Sequence, residues 1–149
     1  MQLVECVPNF SEGRDKTKVD AIVSAAASVD GVRVLDVEMD KDHHRSVLTF
    51  VGPPEAVLEA AFRAAATARQ AIDMNQHKGE HPRIGATDVV PFIPVAGVSM
   101  DDCVRLARKL GDRIGKELEI PVYLYGQAAA RLERQDLAPC RCEIGRAHV

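Results

Sequence analysis

The sequence is organised around residues 75–94, which read NQHKGEHPRIGATDVVPFIP. Two glycines and a proline oppose a regular helix in the first half of this stretch. The apolar run Val89–Val95 that follows predicts a buried strand. A polar loop held against a stiff strand is a common location for catalytic and binding residues. The alternative for any charge cluster is a solvated surface turn. The loop carries five titratable side chains within seven positions: His77, Lys78, Glu80, His81 and Arg83.

Length and composition indicate one ordinary globular domain. The 149 residues are 46% hydrophobic and 28% charged, which is typical of a soluble protein. A net charge of -3 argues against nucleic acid or an anionic membrane as the main partner. The sequence has no apolar stretch of about 18 residues and no signal-like N-terminus, so we expect no membrane span and a cytoplasmic location.

Neither the cysteines nor the histidines show metal-ligand spacing. The four cysteines match no disulfide framework or zinc pattern, and we expect reduced thiols. His77 and His81 are four residues apart, but the intervening glycine and following proline oppose the helix that would align them. His43 and His44 are adjacent and should point apart. We therefore predict that the protein holds no metal.

Alternating strand and helix patterns predict an α+β fold, with a mixed β-sheet and helices packed against it. The first six elements follow the ferredoxin-like β-α-β-β-α-β order, and an additional strand and helices come after them. A hairpin is expected where the second and third strands meet, because about five polar residues join two β-rich runs. The predicted strands are 3–7, 32–39, 45–51, 89–95 and 122–125, with a polar turn at 9–14, and the predicted helices are 18–29, 55–74, 99–118 and 127–134.

The chain divides into a folded part and a short tail. Residues 1–142 form the predicted domain. Residues 143–149 have no apolar periodicity, fit no element and can be back-translated into a common sequencing-adapter sequence. We predict that they are a non-native read-through tail, and that the true gene continues differently.

Three polar clusters lie at the ends of predicted strands: residues 9–13, 36–45 and 77–83. If the strands lie side by side, these clusters converge on one pocket, where α/β sheets tend to bind ligands. Neither a Gly-x-Ser-x-Gly nucleophile elbow nor a glycine-rich phosphate loop is present in the sequence. With these motifs excluded, general acid–base catalysis is the chemistry that the clusters can support.

His81 is the best candidate for that chemistry, because imidazole exchanges protons near neutral pH and the following Pro82 restricts the backbone of His81. A carboxylate such as Glu80 or Glu38 could orient its ring. Three cations could bind substrate carboxylates, although a solvated surface position is the alternative for each. They are Arg45, Lys78 and Arg83.

Five segments together resemble the N-terminal subdomain of the glutamate formimidoyltransferase (formiminotransferase) family. The resemblance runs from the first residue to about residue 139, and its two longest motifs are specific. The segments are LVECVPNFSEG (3–13), DHHRSV (42–47), FVGPP (50–54), HKGEHPRIGATDVVPFIP (77–94) and PVYLYG (121–126).

The resemblance implies transfer of a formimino group from N-formimino-L-glutamate to N5 of tetrahydrofolate, a co-substrate, in histidine degradation. It implies that His81 is the catalytic acid/base, that a second subdomain completes the folate cleft, and that the protein is a homodimer through this subdomain. His44 stands where many relatives have Asn, which leaves the polar contacts of its loop open. The residues we assign to substrate binding are Asn9, Glu38, Arg45, Lys78, Gly79 and Arg83.

Two other interpretations stay open at this point. The chain alone could be a non-catalytic folding and dimerisation fragment that lacks the second half of the folate cleft. It could also be a relative that transfers formyl instead of formimino groups, since both donors would be bound through the same carboxylate groups.

Overall fold

The α+β class predicted from the sequence is confirmed. A computed structural model describes residues 1–72, 86–118, 122–123 and 147–148. Within these residues, three helices pack against a mixed, mainly antiparallel sheet of eight strands. The strands are β1 (Leu3–Cys6), β2 (Asn9–Phe10), β3 (Arg33–Asp40), β4 (Arg45–Gly52), β5 (Thr87–Val89), β6 (Phe92–Ala96), β7 (Val122–Tyr123) and β8 (Ala147–His148), and the helices are α1 (Lys16–Ala27), α2 (Pro54–Ala71) and α3 (Met100–Glu117).

The centre of the sheet is antiparallel, in the order β6–β1–β4–β3. Cys6 pairs with Phe92 on one side and with Phe50 on the other. The predicted hairpin is confirmed, because β3 and β4 pair from Arg33 opposite Val51 to Asp40 opposite Arg45. This arrangement is consistent with the ferredoxin-like element order.

Prolines split two of the long strands, and here the sequence-based prediction was wrong. Residues 89–95 do not form one strand: Pro91 separates β5 from β6, which pair with β2 and β1 respectively. Residues 9 and 10, predicted to lie in a turn, form β2 beyond Pro8. A proline lacks the N–H that the ladder needs, but its carbonyl still accepts. Pro91 O accepts from Val7 N at 3.2 Å, and Pro8 O accepts from Leu48 N at 3.1 Å.

The three helices cover one face of the sheet and enclose the core. Alternate residues of β4 point to this face and are buried, as expected for a sheet with one covered side. The alanine-rich face of α2 packs closely in the same cluster, with Ala60, Ala64 and Ala68 fully buried. Helix α3 begins with a capping box between Ser99 and Asp102.

The other face of the sheet is open toward solvent along β6. Ile93 and Val95 alternate with the inward residues of that strand and are 41% and 53% exposed. Polar side chains of β2, β3 and β4 lie on this same open face, as the strand registers show below. The candidate site therefore lies opposite the helices.

Near its C-terminus the chain contributes a strand that the sequence did not predict. Ala147–His148 pairs in parallel with β5 and with β7. The predicted helix 127–134 and the end of the predicted strand 122–125 lie outside the described residues. The origin of residues 143–149 stays a prediction. None of the described helices is both long enough and apolar enough to cross a bilayer.

Two of the four cysteines fall in the described part of the chain. Cys6 and Cys103 are free thiols buried in the core. Burial raises the pKa of the Cys6 thiol well above its usual value, and it also raises the pKa of Cys103. Both are held as neutral thiols that fill the core like small apolar side chains, as predicted.

Candidate functional site

Three of the predicted substrate-binding residues share the open face of the sheet. In the register of the strands, Glu38 lies opposite Val47, and Val47 lies opposite Asn9. Arg45 is two residues from Val47, so it lies diagonally from Glu38, at roughly 7–8 Å between backbones. All of them are on the face opposite to that of Leu48, which points into the core.

Glu38 and Arg45 line one cavity of about 470 Å³. This volume is within the usual range for a small-molecule site, roughly 300–1,000 Å³. Its walls combine two carboxylates with an ammonium and a guanidinium group, which suits a ligand that carries charges of both signs. The lining residues are Glu38, Met39, Asp40, Lys41, Arg45 and Val47.

Asn9 lies beside this cavity rather than in its wall. Its side-chain Nδ2 donates to the carbonyl of Val7 at 3.0 Å, across the break at Pro8. The amide is half-buried and fixed by its own strand. Asn9 is thus next to Val47, one strand further from Glu38.

The turn between β3 and β4 is organised by Asp40. Its carboxylate accepts hydrogen bonds from the backbone N–H groups of Asp42 and His43, at 3.0 and 3.1 Å. The ring Nδ1 of His43 lies 2.6 Å from the other carboxylate oxygen. The hydrogen bonds from the His43 backbone and ring hold the pKa of the Asp40 carboxyl below its usual value. Asp40 therefore stays an anion at the rim of the cavity.

The first polar cluster docks against this turn through a buried carboxylate. Glu12, 4% exposed, accepts from the backbone N–H groups of Arg14 and Asp15, both at 3.0 Å. Next to it, the N–H of Gly13 donates to Nδ1 of His44 at 3.0 Å. The clusters at 9–13 and 36–45 are thus in direct contact, while the described lining of the cavity comes from the second cluster and Val47.

After residues 73–85, the described part of the chain resumes beside the first cluster. Ala86, the first described residue after 73–85, accepts a hydrogen bond from Ser11 N at 2.9 Å. Thr87 then pairs with Phe10. His81, Lys78, Gly79 and Arg83, together with Glu80, lie outside the described residues, so their assignments stay predictions.

Sequence reasoning missed three residues at this site. Glu12 and His44 were seen only as polar loop residues, although His44 was expected to point away from His43, as it does. Asp88 is 1% exposed and occupies the irregularity between β2 and β5. The motif Ala86-Thr87-Asp88 contained a signal, because an acid inside an otherwise apolar strand is rarely buried without a specific reason.

A second cavity, of about 330 Å³, lies between the N-terminal ends of α2 and α3. Its Lys109 forms an ion pair with Glu55 at 3.1 Å, and its Arg105 is paired with Asp102. These cations are engaged by neighbouring acids, and of the predicted site residues that the structure describes, none lines this cavity. It is not the candidate site.

Within the described ranges, no group of three or more His, Cys, Asp or Glu side chains is arranged to hold a metal ion. The absence of a metal stays a prediction, since two of the protein's histidines lie at positions 77 and 81, outside those ranges.

The fold and the site define an α+β domain whose sheet has one face packed by helices and one open face that carries a charged cavity. Comparison with known proteins gives the family. The chain belongs to the family described as "Formiminotransferase domain, N-terminal subdomain", whose model matches residues 3–146.

The relatives are enzymes with formimidoyltransferase in their names. The chain is 58% identical over 141 residues to a glutamate formimidoyltransferase of Thermoplasma acidophilum, covering 95% of this chain and 46% of that protein. It is 46% identical over 140 residues to the glutamate formimidoyltransferase of Streptococcus pyogenes, covering 94% of this chain and 47% of the other. It is 56% identical over 140 residues to the rat formimidoyltransferase-cyclodeaminase, covering 94% of this chain and 26% of the other. The chain thus spans about half the length of the first two relatives.

Proposed function

We propose that this chain is the N-terminal part of an enzyme that transfers a formimino group from N-formimino-L-glutamate to N5 of tetrahydrofolate, in histidine degradation. Family membership supports the reaction class. The observation that carries the proposal to this chain is that Glu38 and Arg45 line one cavity on the open face of the sheet.

Arg45 is the carboxylate-binding group in this proposal. It is half-buried on β4, so the aliphatic part of its side chain is held by the sheet while its guanidinium group reaches the cavity wall. A guanidinium matches the two oxygens of a carboxylate with two parallel hydrogen bonds. Lys78 and Arg83 supply further positive charge to the carboxylates of the donor.

His81 acts as the general acid and base. N5 of tetrahydrofolate attacks the amidine carbon, and a new C–N bond forms as the proton on N5 is removed. The bond from that carbon to the glutamate nitrogen then breaks, and the leaving nitrogen takes a proton. One imidazole that titrates near neutrality can move the proton between the two nitrogens.

The length of the relatives supports a further subdomain in this proposal. We propose that a second subdomain follows this one and closes the folate cleft, that the enzyme is a homodimer through this subdomain, and that it is cytoplasmic and uses tetrahydrofolate as co-substrate without a metal.

The test is the variant His81→Ala in the full-length protein, assayed with formiminoglutamate and tetrahydrofolate. We expect turnover to fall by at least about 100-fold, the usual scale of a lost acid/base group, with the circular dichroism spectrum unchanged. His43→Ala is the matched control, because His43 is 44% exposed and its ring contacts Asp40 in its own turn. Near-normal turnover in His81→Ala would contradict the assignment of His81 as the catalytic acid and base.

The two other interpretations are decided by the same assay. If the 149-residue chain alone is inactive and the full-length protein is active, the chain is a folding module of an enzyme. Competition between formimino and formyl donors separates the two transfer reactions.

A further inference from the structure

A side-chain hydrogen bond fastens the loop after β2 to the turn before β4. Gly13 and His44 are 31 residues apart in sequence, and the Gly13 N–H donates to His44 Nδ1 at 3.0 Å. Arg14 Nε adds a second bond, to the carbonyl of Lys41 at 3.0 Å. The backbone of Gly13 lies so close to that of Arg45 that a Cβ on Gly13 would overlap it. The placement of Arg45 in the cavity therefore depends on how Gly13 is held.

His44 is held in an unusual backbone conformation for this contact. Its φ is 51°, in the left-handed region that residues with a side chain seldom adopt. Its side chain is only 13% exposed. Such a conformation persists only where the surrounding contacts impose it, and it is found preferentially at functional sites.

The partners of Nδ1 determine the protonation state of the ring. A backbone N–H is only a donor, so Nδ1 must present its lone pair, and the proton of the neutral ring is on Nε2. A doubly protonated ring has no lone pair to offer. The bond to Gly13 thus exists only while His44 is neutral.

Among the described residues, the charged groups around the ring are balanced rather than uniformly negative. Glu12 Oε2 lies 3.5 Å from Nδ1 and favours a protonated ring, but that oxygen already accepts two backbone N–H groups. Lys18 Nζ lies 3.7 Å from the other Glu12 oxygen and partly offsets its charge. Arg45 follows His44 directly, and Asp40 is four residues earlier, in the same turn.

We propose that His44 is a positioning residue for the substrate cavity: its neutral ring accepts from Gly13 and so fixes the backbone of Arg45, the group that binds the substrate carboxylate. The inference rests on the proposed function only for the identity of that substrate. Protonation of His44 removes the bond, loosens Arg45 and weakens substrate binding.

The test compares His44→Asn with His44→Gly in the full-length protein. Asn Oδ1 takes the place of Nδ1 as acceptor, and Asn tolerates the left-handed conformation, whereas Gly tolerates the conformation but has no acceptor. We expect His44→Gly to raise the KM for formiminoglutamate about 3- to 10-fold, the scale of one lost hydrogen bond, and His44→Asn to change it less than about 2-fold. Asp42→Asn, in the same turn, is the matched control, because the side chain of Asp42 is exposed and Asp42 is not among the residues that line the cavity.

The pH profile provides a readout that a merely structural role would not move. We expect the KM of the parent to rise more steeply toward acid pH than that of His44→Asn, because an imidazole loses its acceptor when it is protonated and an amide oxygen does not. Equal KM values for His44→Asn and His44→Gly over the whole pH range would overturn the proposal.

Nitrogen NMR of the 149-residue chain tests the contact without any activity. We expect His44 Nδ1 to be unprotonated at neutral pH, and the Gly13 amide resonance to shift in His44→Gly much more than in His44→Asn. A proton on Nδ1 would overturn the inference. If the full-length protein fails to turn over formiminoglutamate while the NMR results are as expected, the proposed function fails and the contact between Gly13 and His44 stands.

Discussion

Arg45 is the described residue on which the proposed substrate binding depends most. A lysine keeps the charge but offers a single point of contact, whereas the guanidinium binds both carboxylate oxygens. We predict that Arg45→Met raises the KM for formiminoglutamate roughly 10- to 100-fold, the scale of a lost hydrogen bond to a charged group, and that Arg45→Lys recovers only part of that loss.

Steady-state kinetics of the full-length protein measure this effect. Lys41→Met is the control, because Lys41 lines the same cavity but its side chain is exposed. If removing Lys41 raises the KM as much as removing Arg45, the cavity acts only through its overall charge.

Gly13 allows the loop after β2 to lie against the β3–β4 turn. A Cβ at this position would overlap the carbonyl oxygen of Asp40 and the backbone of Arg45, and backbone atoms cannot rotate away. We predict that Gly13→Ala lowers the free energy of unfolding by about 1–3 kcal/mol, as overpacking does. Urea denaturation of the 149-residue chain measures the change.

Gly115→Ala is the matched control for this substitution. Gly115 is exposed in the last turn of α3, where alanine is favoured by up to about 0.5–1 kcal/mol. The same chemical change should therefore stabilise the protein at Gly115 and destabilise it at Gly13. A neutral or stabilising effect at Gly13 would contradict the close backbone contact.

Between helices, Arg113 connects α3 to α2. Its Nη1 donates to Glu59 Oε2 at 2.6 Å, its Nε donates to Glu117 Oε2 at 3.1 Å, and its guanidinium lies 3.9 Å from the ring centroid of Phe62. The hydrogen bond from Arg113, with a further one from Arg63, lowers the pKa of Glu59. The two helices are therefore joined by a charged contact at the edge of their apolar packing.

We predict that Arg113→Met lowers the free energy of unfolding by about 0.5–1 kcal/mol at neutral pH, a value kept small because the pair is partly exposed. The folded pKa of Glu59 is lowered, so its contribution is complete above the unfolded pKa of about 4.3 and is lost as the pH falls through the folded value. The difference between variant and parent should shrink below pH 4. Urea denaturation at several pH values measures it, with the exposed Arg108→Met on the same helix as control. A difference that stays constant down to pH 3 would show that Glu59 contributes nothing.

The sequence predicted well the elements in which apolar residues recur at a regular spacing without interruption. The apolar spacing of α3 and the alternation along β4 were sufficient, because each pattern is local. Residues 89–95 were misread because the apolar run continues across Pro91, while the sheet changes partner there. Polar residues at strand ends predicted that Glu38 and Arg45 belong to one cluster, and both line the same cavity. Glu12 and His44 could not be paired from sequence, since their contact joins segments about thirty residues apart and follows no period.

At the scale of the whole molecule, the open face of the sheet exposes apolar side chains to solvent in the part of the chain that the structure describes. Ile93 and Val95 are exposed side by side on β6, next to polar residues of the same face. The two glutamate formimidoyltransferases compared above are about twice as long as this chain. If a second subdomain closes the cleft, as proposed, it packs over this face and removes Ile93 from water.

The stability of Ile93→Ser in two contexts tests this arrangement. Ile93 is 41% exposed in the chain alone, so only the part of its surface that is still in contact with water can be buried by a further subdomain. Full burial of an isoleucine side chain contributes about 1.5–3 kcal/mol, and we therefore predict an extra loss of about 1 kcal/mol in the full-length protein relative to the 149-residue chain. Urea denaturation of both forms measures the two losses. Met100→Ser, at a residue 49% exposed at the start of α3 on the helix side, should change both forms equally. An equal loss for Ile93→Ser in the two forms would mean that this part of the open face stays in solvent in the full-length protein, and that the folate cleft is closed from another direction.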